Sequence, residues 1–259
     1  MAKRTAGRWG KWLTALAGIL CFGAVATALV GAFGSGQEWW HFRFGFTLLT
    51  YAFYVACAGV VLALIALIVV RKAKGRVVTN LLAILAAGGF IVFLGLQVRT
   101  ARSVPAIHDV ATNLDDLPQF SRLPVRLDNL ENIPDMDRPE LAALPREQRW
   151  KAIHREAYGD LRTIRVPGTV AEAIGRAETL ARERGWEVAV ADPEAGRLEA
   201  TDTTLFFRFK DDVVIRARPA AEGGGTEVDM RSISRVGGSD VGVNAKRVRS
   251  FLADLQQAR

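Results

Sequence analysis

The chain has 259 residues, half of them hydrophobic, and a formal net charge of +7. That charge is uneven: residues 1–98 carry +8, whereas residues 99–259 carry −1. A nucleic-acid binder needs a basic domain, so the balanced charge beyond residue 98 excludes that class of partner.

Three uncharged apolar runs fill the first part, Trp12–Gln37, Phe44–Val70 and Val77–Val98. Each exceeds the ~20 residues a helix needs to cross a bilayer core. Only helices and closed barrels satisfy their backbone inside lipid, and unbroken apolarity without alternation selects helices. The expected spans are 12–34, 44–70 and 77–98, within a membrane module covering residues 1–98. The first run is longer than the ~7–15 residues of a signal-peptide core, so it reads as an uncleaved anchor. Cys21 and Cys57 both lie inside apolar runs; Cys21 follows Leu20, which is too large for a lipoprotein processing site, and reads as a small membrane-buried side chain.

Orientation follows from Lys and Arg in short loops. Lys3, Arg4, Arg8 and Lys11 precede the first run, and Arg71, Lys72, Lys74 and Arg76 lie between the second and third. Both segments belong in the cytoplasm, and three crossings then place residues 99–259 outside it. Trp9, Trp12, Trp39, Trp40 and Tyr51 stand near the run ends, as interfacial anchors do. The spans hold no charged residue, which argues against an ion or proton pathway. Their glycines form no dominating small-xxx-small motif and read as ordinary membrane-helix composition.

Residues 99–160 contain Pro118, Pro124, Pro134, Pro139 and Pro145, and proline opposes both helix and sheet interiors. They read as a segment wrapping over the soluble domain, with a short helix at Arg146–Tyr158 striped by Trp150, Ile153 and Ala157. The core at 161–259 is patterned more sharply. Leu161–Val166 reads as a strand. Thr169 and Glu172 have capping-box spacing, ahead of a helix lined by Val170, Ile174, Ala177 and Leu180. Trp186–Ala191 and Arg197–Thr203 form a hairpin around residues 192–196. Leu205–Lys210 and Val213–Arg218 read as strands around an Asp211-Asp212 turn. A Gly223–Gly225 turn leads to a long strand, Glu227–Val236. A last helix from Asp240 to Gln257 carries Val241, Ala245, Val248, Phe251, Leu252 and Leu255 inward. Short turns demand antiparallel pairing, and two main helices cover one face. The expected fold is an α+β two-layer sandwich behind a membrane α-helical bundle.

Several stretches resemble one family. They are Ile107–Thr112, Ala157–Leu161, Asp211–Arg216, Asp229–Gly237 and Ser239–Arg247. In this order they are similar to the domain-of-unknown-function family 1499 (DUF1499), over roughly residues 102–256, and the three-helix module lies outside the resemblance. The positions that carry the motifs are His108, Asp109, Asp211, Asp212, Arg216, Asp229, Arg231, Ser232, Ser234, Arg235, Asp240 and Asn244. The resemblance implies a domain and no established reaction.

The candidate ligand site is an anion site. Glycines ahead of a helix start leave backbone N–H groups free, and the helix dipole favours an anion there. Gly238 and Ser239 would supply those groups, with Arg231, Arg235 and Lys246 adding charge. The competing structural reading makes Ser239 or Asp240 the helix N-cap and pairs Asp229 and Arg231 with Arg216 or Asp212. His108-Asp109 resembles a phosphohydrolase metal pair, but only His108 and His154 are present in this domain, and their spacing fits no metal pattern. No nucleophile elbow is present, and the sequence implies neither a metal nor a cofactor. The expected function is a membrane-anchored extracytoplasmic binding or scaffold module for an envelope component or protein. The alternative is a hydrolase or transferase acting on a phosphorylated or acidic envelope substrate through Asp229, Arg231, Ser239 and Asp240.

Overall fold

The computed structural model describes residues 2–258; the side chains of residues 1–6, Lys3 and Arg4 among them, lie outside the described residues. The chain divides into two compact units, one of residues 1–99 with 205–208, the other of residues 100–204 with 209–259.

The first unit holds three helices, α1 (Ala2–Gly36), α2 (Phe42–Val70) and α3 (Lys74–Ser103). All three are long and apolar enough to cross a membrane. They run past the expected spans at most ends, because nothing in the flanking basic residues breaks a helix. Helices α1 and α2 pack through small side chains: Ala17, Cys21, Ala24 and Ala28 are buried with Ala52, Ala56 and Ala63. A Cβ added to Gly59 would stand 2.9 Å from Cys21 Sγ. The close approach rests on small residues three or four apart. Gly31, Gly45 and Gly59 belong to it beside the alanines, since a Cβ on Gly45 would stand 2.7 Å from the Gly31 carbonyl; this corrects the reading of the glycines as ordinary composition. Asn80 on α3 donates to Thr14 Oγ1 on α1 at 3.0 Å, a buried link between those helices.

The second unit is an antiparallel sheet of six strands, β1 (Asp109–Ala111), β2 (Ile164–Val166), β3 (Glu187–Asp192), β4 (Arg197–Thr203), β5 (Lys210–Pro219) and β6 (Thr226–Ser234). The order is β1-β6-β5-β4-β3, with β2 also on β6. Strand β1 takes the Arg231–Ile233 end of that edge and β2 the Thr226–Val228 end. Helices α6 (Val170–Glu183) and α7 (Val243–Gln257) bury Ile174, Ala177, Val248, Phe251 and Leu255 in the core with Leu198, Ile215, Val228 and Met230. The Thr169–Glu172 capping box is formed. The two-layer α+β architecture is as expected.

Four local expectations are corrected. Asp211 and Asp212 do not make a turn; both lie inside β5 and are buried. Leu205–Lys210 is not a strand, because Thr204–Phe209 closes a turn through two hydrogen bonds and Arg208 takes φ 52°. The last helix starts at Val243, with Gly242 at its N-cap and φ 77°, rather than at Asp240. On α5 (Arg146–Tyr158) the buried stripe is Trp150, Ile153, His154 and Tyr158, and Ala157 is exposed. A short helix α4 (Pro139–Ala142) precedes it.

Helix α5 closes the free edge of β1. Trp150 Nε1 donates to the Asp109 carbonyl at 2.9 Å, and the Ala111 amide donates to His154 Nε2 at 3.1 Å. Two side chains thus complete ladder groups that an edge strand would leave open.

Candidate functional site

Alternation along β6 sends its motif residues to two faces. Ser232 and Ser234 point to the helix layer, and Asp229, Arg231 and Arg235 point to the opposite face. The second face is polar, and the segment between Asn113 and Ile133 folds over it. Glu199, fully buried on β4, fastens that segment: its carboxylate accepts from the Ser121 amide (2.5 Å) and hydroxyl (2.6 Å) and from the amides of Arg122 (3.0 Å) and Leu123 (2.8 Å). Burial pushes the Glu199 pKa up, but the four donors outweigh it and hold the carboxyl below its ordinary value.

Beneath the wrap the charges are matched one by one. Arg231 bonds both oxygens of Asp109. Asp109 also accepts from Asn129 Nδ2 at 2.6 Å, and Asn129 Oδ1 lies 3.2 Å from His108 Nε2. Arg216 bonds Asp229 at 2.8 Å, and Asp229 accepts from Thr112 (3.0 Å) and Thr163 (2.6 Å). Arg235 spans both oxygens of Asp212 at 2.8 Å, and Thr201 bonds the same carboxylate at 2.7 Å.

The helix-side network centres on Arg247. It reaches Asp211 at 2.6 Å, Asp202 at 2.8 Å and Ser232 Oγ at 3.0 Å, and it also donates to Asn244 Oδ1. Asn244 donates to the His108 carbonyl at 2.9 Å and to Ser234 Oγ at 3.0 Å. Two motifs far apart in sequence are joined through this amide.

The loop between β6 and α7 carries Gly238 and Ser239. Arg126 donates to the Gly237 carbonyl at 2.6 Å, and His108 Nδ1 lies 3.5 Å from the Gly238 carbonyl. Asp240 accepts from the amides of Gly242 (2.8 Å) and Asn244 (2.7 Å), so its own carboxylate occupies the N–H groups at the start of α7. Burial raises its pKa against those two bonds. Ser239 Oγ accepts from the amide of Val241, a β-branched residue held at φ 55°. Such a side chain rarely occupies the left-handed region, and strain there marks a loop shape that its surroundings impose. Lys246 is exposed on α7.

Of the predicted set, the structure brings Arg231, Asp109 and His108 into one chain of contacts, and Ser232, Ser234 and Asn244 into another. Arg235, Gly238, Ser239 and Lys246 are the members that reach the surface, Arg235 while holding Asp212. Sequence reasoning missed Glu199, Asn129, Arg247 as a hub, and His154. A charged residue in a strand facing a Pro-rich wrap was the available signal for Glu199. His154 sat at helical spacing with Trp150 and Ile153, which placed it on the apolar stripe. Its Nδ1 and the Tyr158 hydroxyl are buried without a partner among the described residues. Burial pushes the His154 pKa down to about 4 and the Tyr158 pKa up to about 12.

Residues 109–255, more than half of the chain, match the family described as protein of unknown function (DUF1499). No curated protein matches the chain.

Proposed function

We propose that this chain, which belongs to the DUF1499 family, is a membrane-anchored binding or scaffold module whose sheet domain stands outside the cytoplasm. Its partner would be a protein or an acidic envelope component. The observation that carries this reading is that the charged motif residues of the sheet are engaged by one another. Asp109, Asp211, Asp212 and Asp229 each hold an arginine. A catalytic acid, base or nucleophile needs access to substrate, and buried paired groups instead specify a rigid surface.

What that rigid sheet displays is the Arg235–Ser239 loop, pinned by Arg126 and His108, with Lys246 on the adjoining helix. Cationic side chains beside an exposed glycine and a half-buried serine suit a carboxylate or phosphate. The balance of Lys and Arg between the loops supports an N-terminus in the cytoplasm and the domain outside. Helices of this length and apolarity support a multi-pass place in the bilayer.

The test uses the full chain in its own membrane, with a photo-crosslinking residue at Gly238. A discrete adduct is expected, and Lys246→Glu, at an exposed position that holds no partner in the sheet among the described residues, should sharply reduce it while the protein level holds. Adducts that survive the charge reversal would reject this surface. Topology reporters after Arg259 complete the test: activity of a cytoplasmic reporter alone would reject the external placement.

A further inference from the structure

The turn between β4 and β5 exposes what a water-soluble hairpin should hide. Leu205 is 82% and Phe206 55% exposed. They are adjacent, at the tip of a turn closed by the Thr204 amide to the Phe209 carbonyl (2.9 Å) and by the Phe209 amide to Thr204 Oγ1 (2.8 Å). The shape is therefore fixed, and the apolar side chains are held outward. Exposed apolar residues that are contiguous, unlike scattered ones, mark a contact surface.

Residues 205–208 group with the apolar helices rather than with the sheet. Within that unit the Phe207 ring lies 4.8 Å from Phe46, on the first turns of α2. A Cβ on Gly36 would stand 2.7 Å from the Phe206 carbonyl. The same end of the helices carries Trp39 and Trp40, edge to face with each other at 5.9 Å. Trp at a helix end marks the headgroup level of a bilayer. Arg208 and Lys210 follow the apolar pair, a cationic flank suited to lipid phosphates.

We propose that this turn is a membrane-inserting tip, in which Leu205 and Phe206 enter the acyl boundary of the leaflet at the α1–α2 end. The occupant of the patch is lipid.

The test is spin-label depth measurement on the full chain in lipid nanodiscs, in a Cys21→Ala, Cys57→Ala background. Labels go at Leu205→Cys or Phe206→Cys, with Glu222→Cys in the β5–β6 turn as a water-exposed reference. Preferential collision with oxygen over a water-soluble nickel chelate at 205 and 206, and the reverse at 222, is expected. Nickel access at 205 and 206 equal to that at 222 would overturn the proposal. Protection from both agents would also overturn it, because protein rather than lipid would then cover the tip. Two label positions guard against one variant that fails to fold.

Discussion

Arg231 on β6 grips Asp109 on β1 with two hydrogen bonds, Nε to Oδ1 at 3.0 Å and Nη2 to Oδ2 at 2.7 Å, both side chains nearly sealed from water. The pair joins the first motif of the domain to the strand that carries both β1 and β2. Removing one partner of a buried pair leaves the other charge desolvated and typically costs ~3–5 kcal/mol. Arg231→Ala in the detergent-solubilised full chain should therefore lose its thermal transition or shift it far down. Arg231→Met combined with Asp109→Leu should recover much of the loss, since apolar replacement of both charges is often tolerated. A double variant no better than Arg231→Ala would show that Asp109 has a role apart from its arginine.

How much of this was legible in the sequence depends on where each residue's partners lie. The Thr169–Glu172 box and the Arg197–Thr203 strand are local features, and the structure forms both. Asp211-Asp212 reads as a turn because two acidic residues in a row usually are one. In the fold Thr201 and Arg235 meet Asp212 and Arg247 meets Asp211, none of which is a sequence neighbour. Strand β1 is three residues long, buried throughout, and pairs with residues more than a hundred positions away. It has no alternation to detect. Arg235 falls on the face with Arg231 and Asp229, as period-two geometry requires of the strand by itself.

Glu199 should act as a clasp rather than as a pillar of the core. Its two oxygens hold Ser121, Arg122 and Leu123. Glu199→Gln turns one acceptor into a donor facing those amides, and an unsatisfied buried group costs ~1–3 kcal/mol. Hydrogen exchange should rise at residues 121–127 while β5 and β6 keep their protection. Equal loosening of the whole sheet would contradict a local clasp.

His154 should give stability a dependence on mild acid. Its folded pKa is about 4, against 6.5 when unfolded, because burial disfavours the imidazolium. The unfolded state therefore binds the proton first. Stability is unaffected above about pH 6.5, falls between about 6.5 and 4, and loses nothing more to this group below 4. The full loss is on the order of 3 kcal/mol. His154→Gln keeps an acceptor for the Ala111 amide and has no proton to gain. Its melting midpoint should fall less steeply across that window than that of the unmodified chain. Parallel curves would mean that carboxylates alone set the acid response.

Asp240 separates a charge effect from a capping effect at the start of α7. Its oxygens receive the amides of Gly242 and Asn244, and Gly242 at the N-cap has no side chain to do so. Losing such a cap typically costs ~1 kcal/mol, which for a domain of this size lowers the midpoint by roughly 2–4 °C. Asp240→Ala should show that drop at neutral pH. Burial nevertheless raises the folded pKa of Asp240 above its ordinary 3.8, so the folded state binds the proton more readily than the unfolded one. The sign is that the ionised carboxylate costs stability as pH rises through the window between the two values, and the cost persists at pH 7. Asp240→Asn removes that cost but keeps only one of the two acceptors and turns the other oxygen into a donor facing an amide. Its midpoint at pH 7 should lie between those of Asp240→Ala and the unmodified chain, and it should fall further behind the unmodified chain as the pH approaches 3.8. If Asp240→Asn instead falls as far as Asp240→Ala, the start of α7 requires both carboxylate oxygens, and a single acceptor does not cap it.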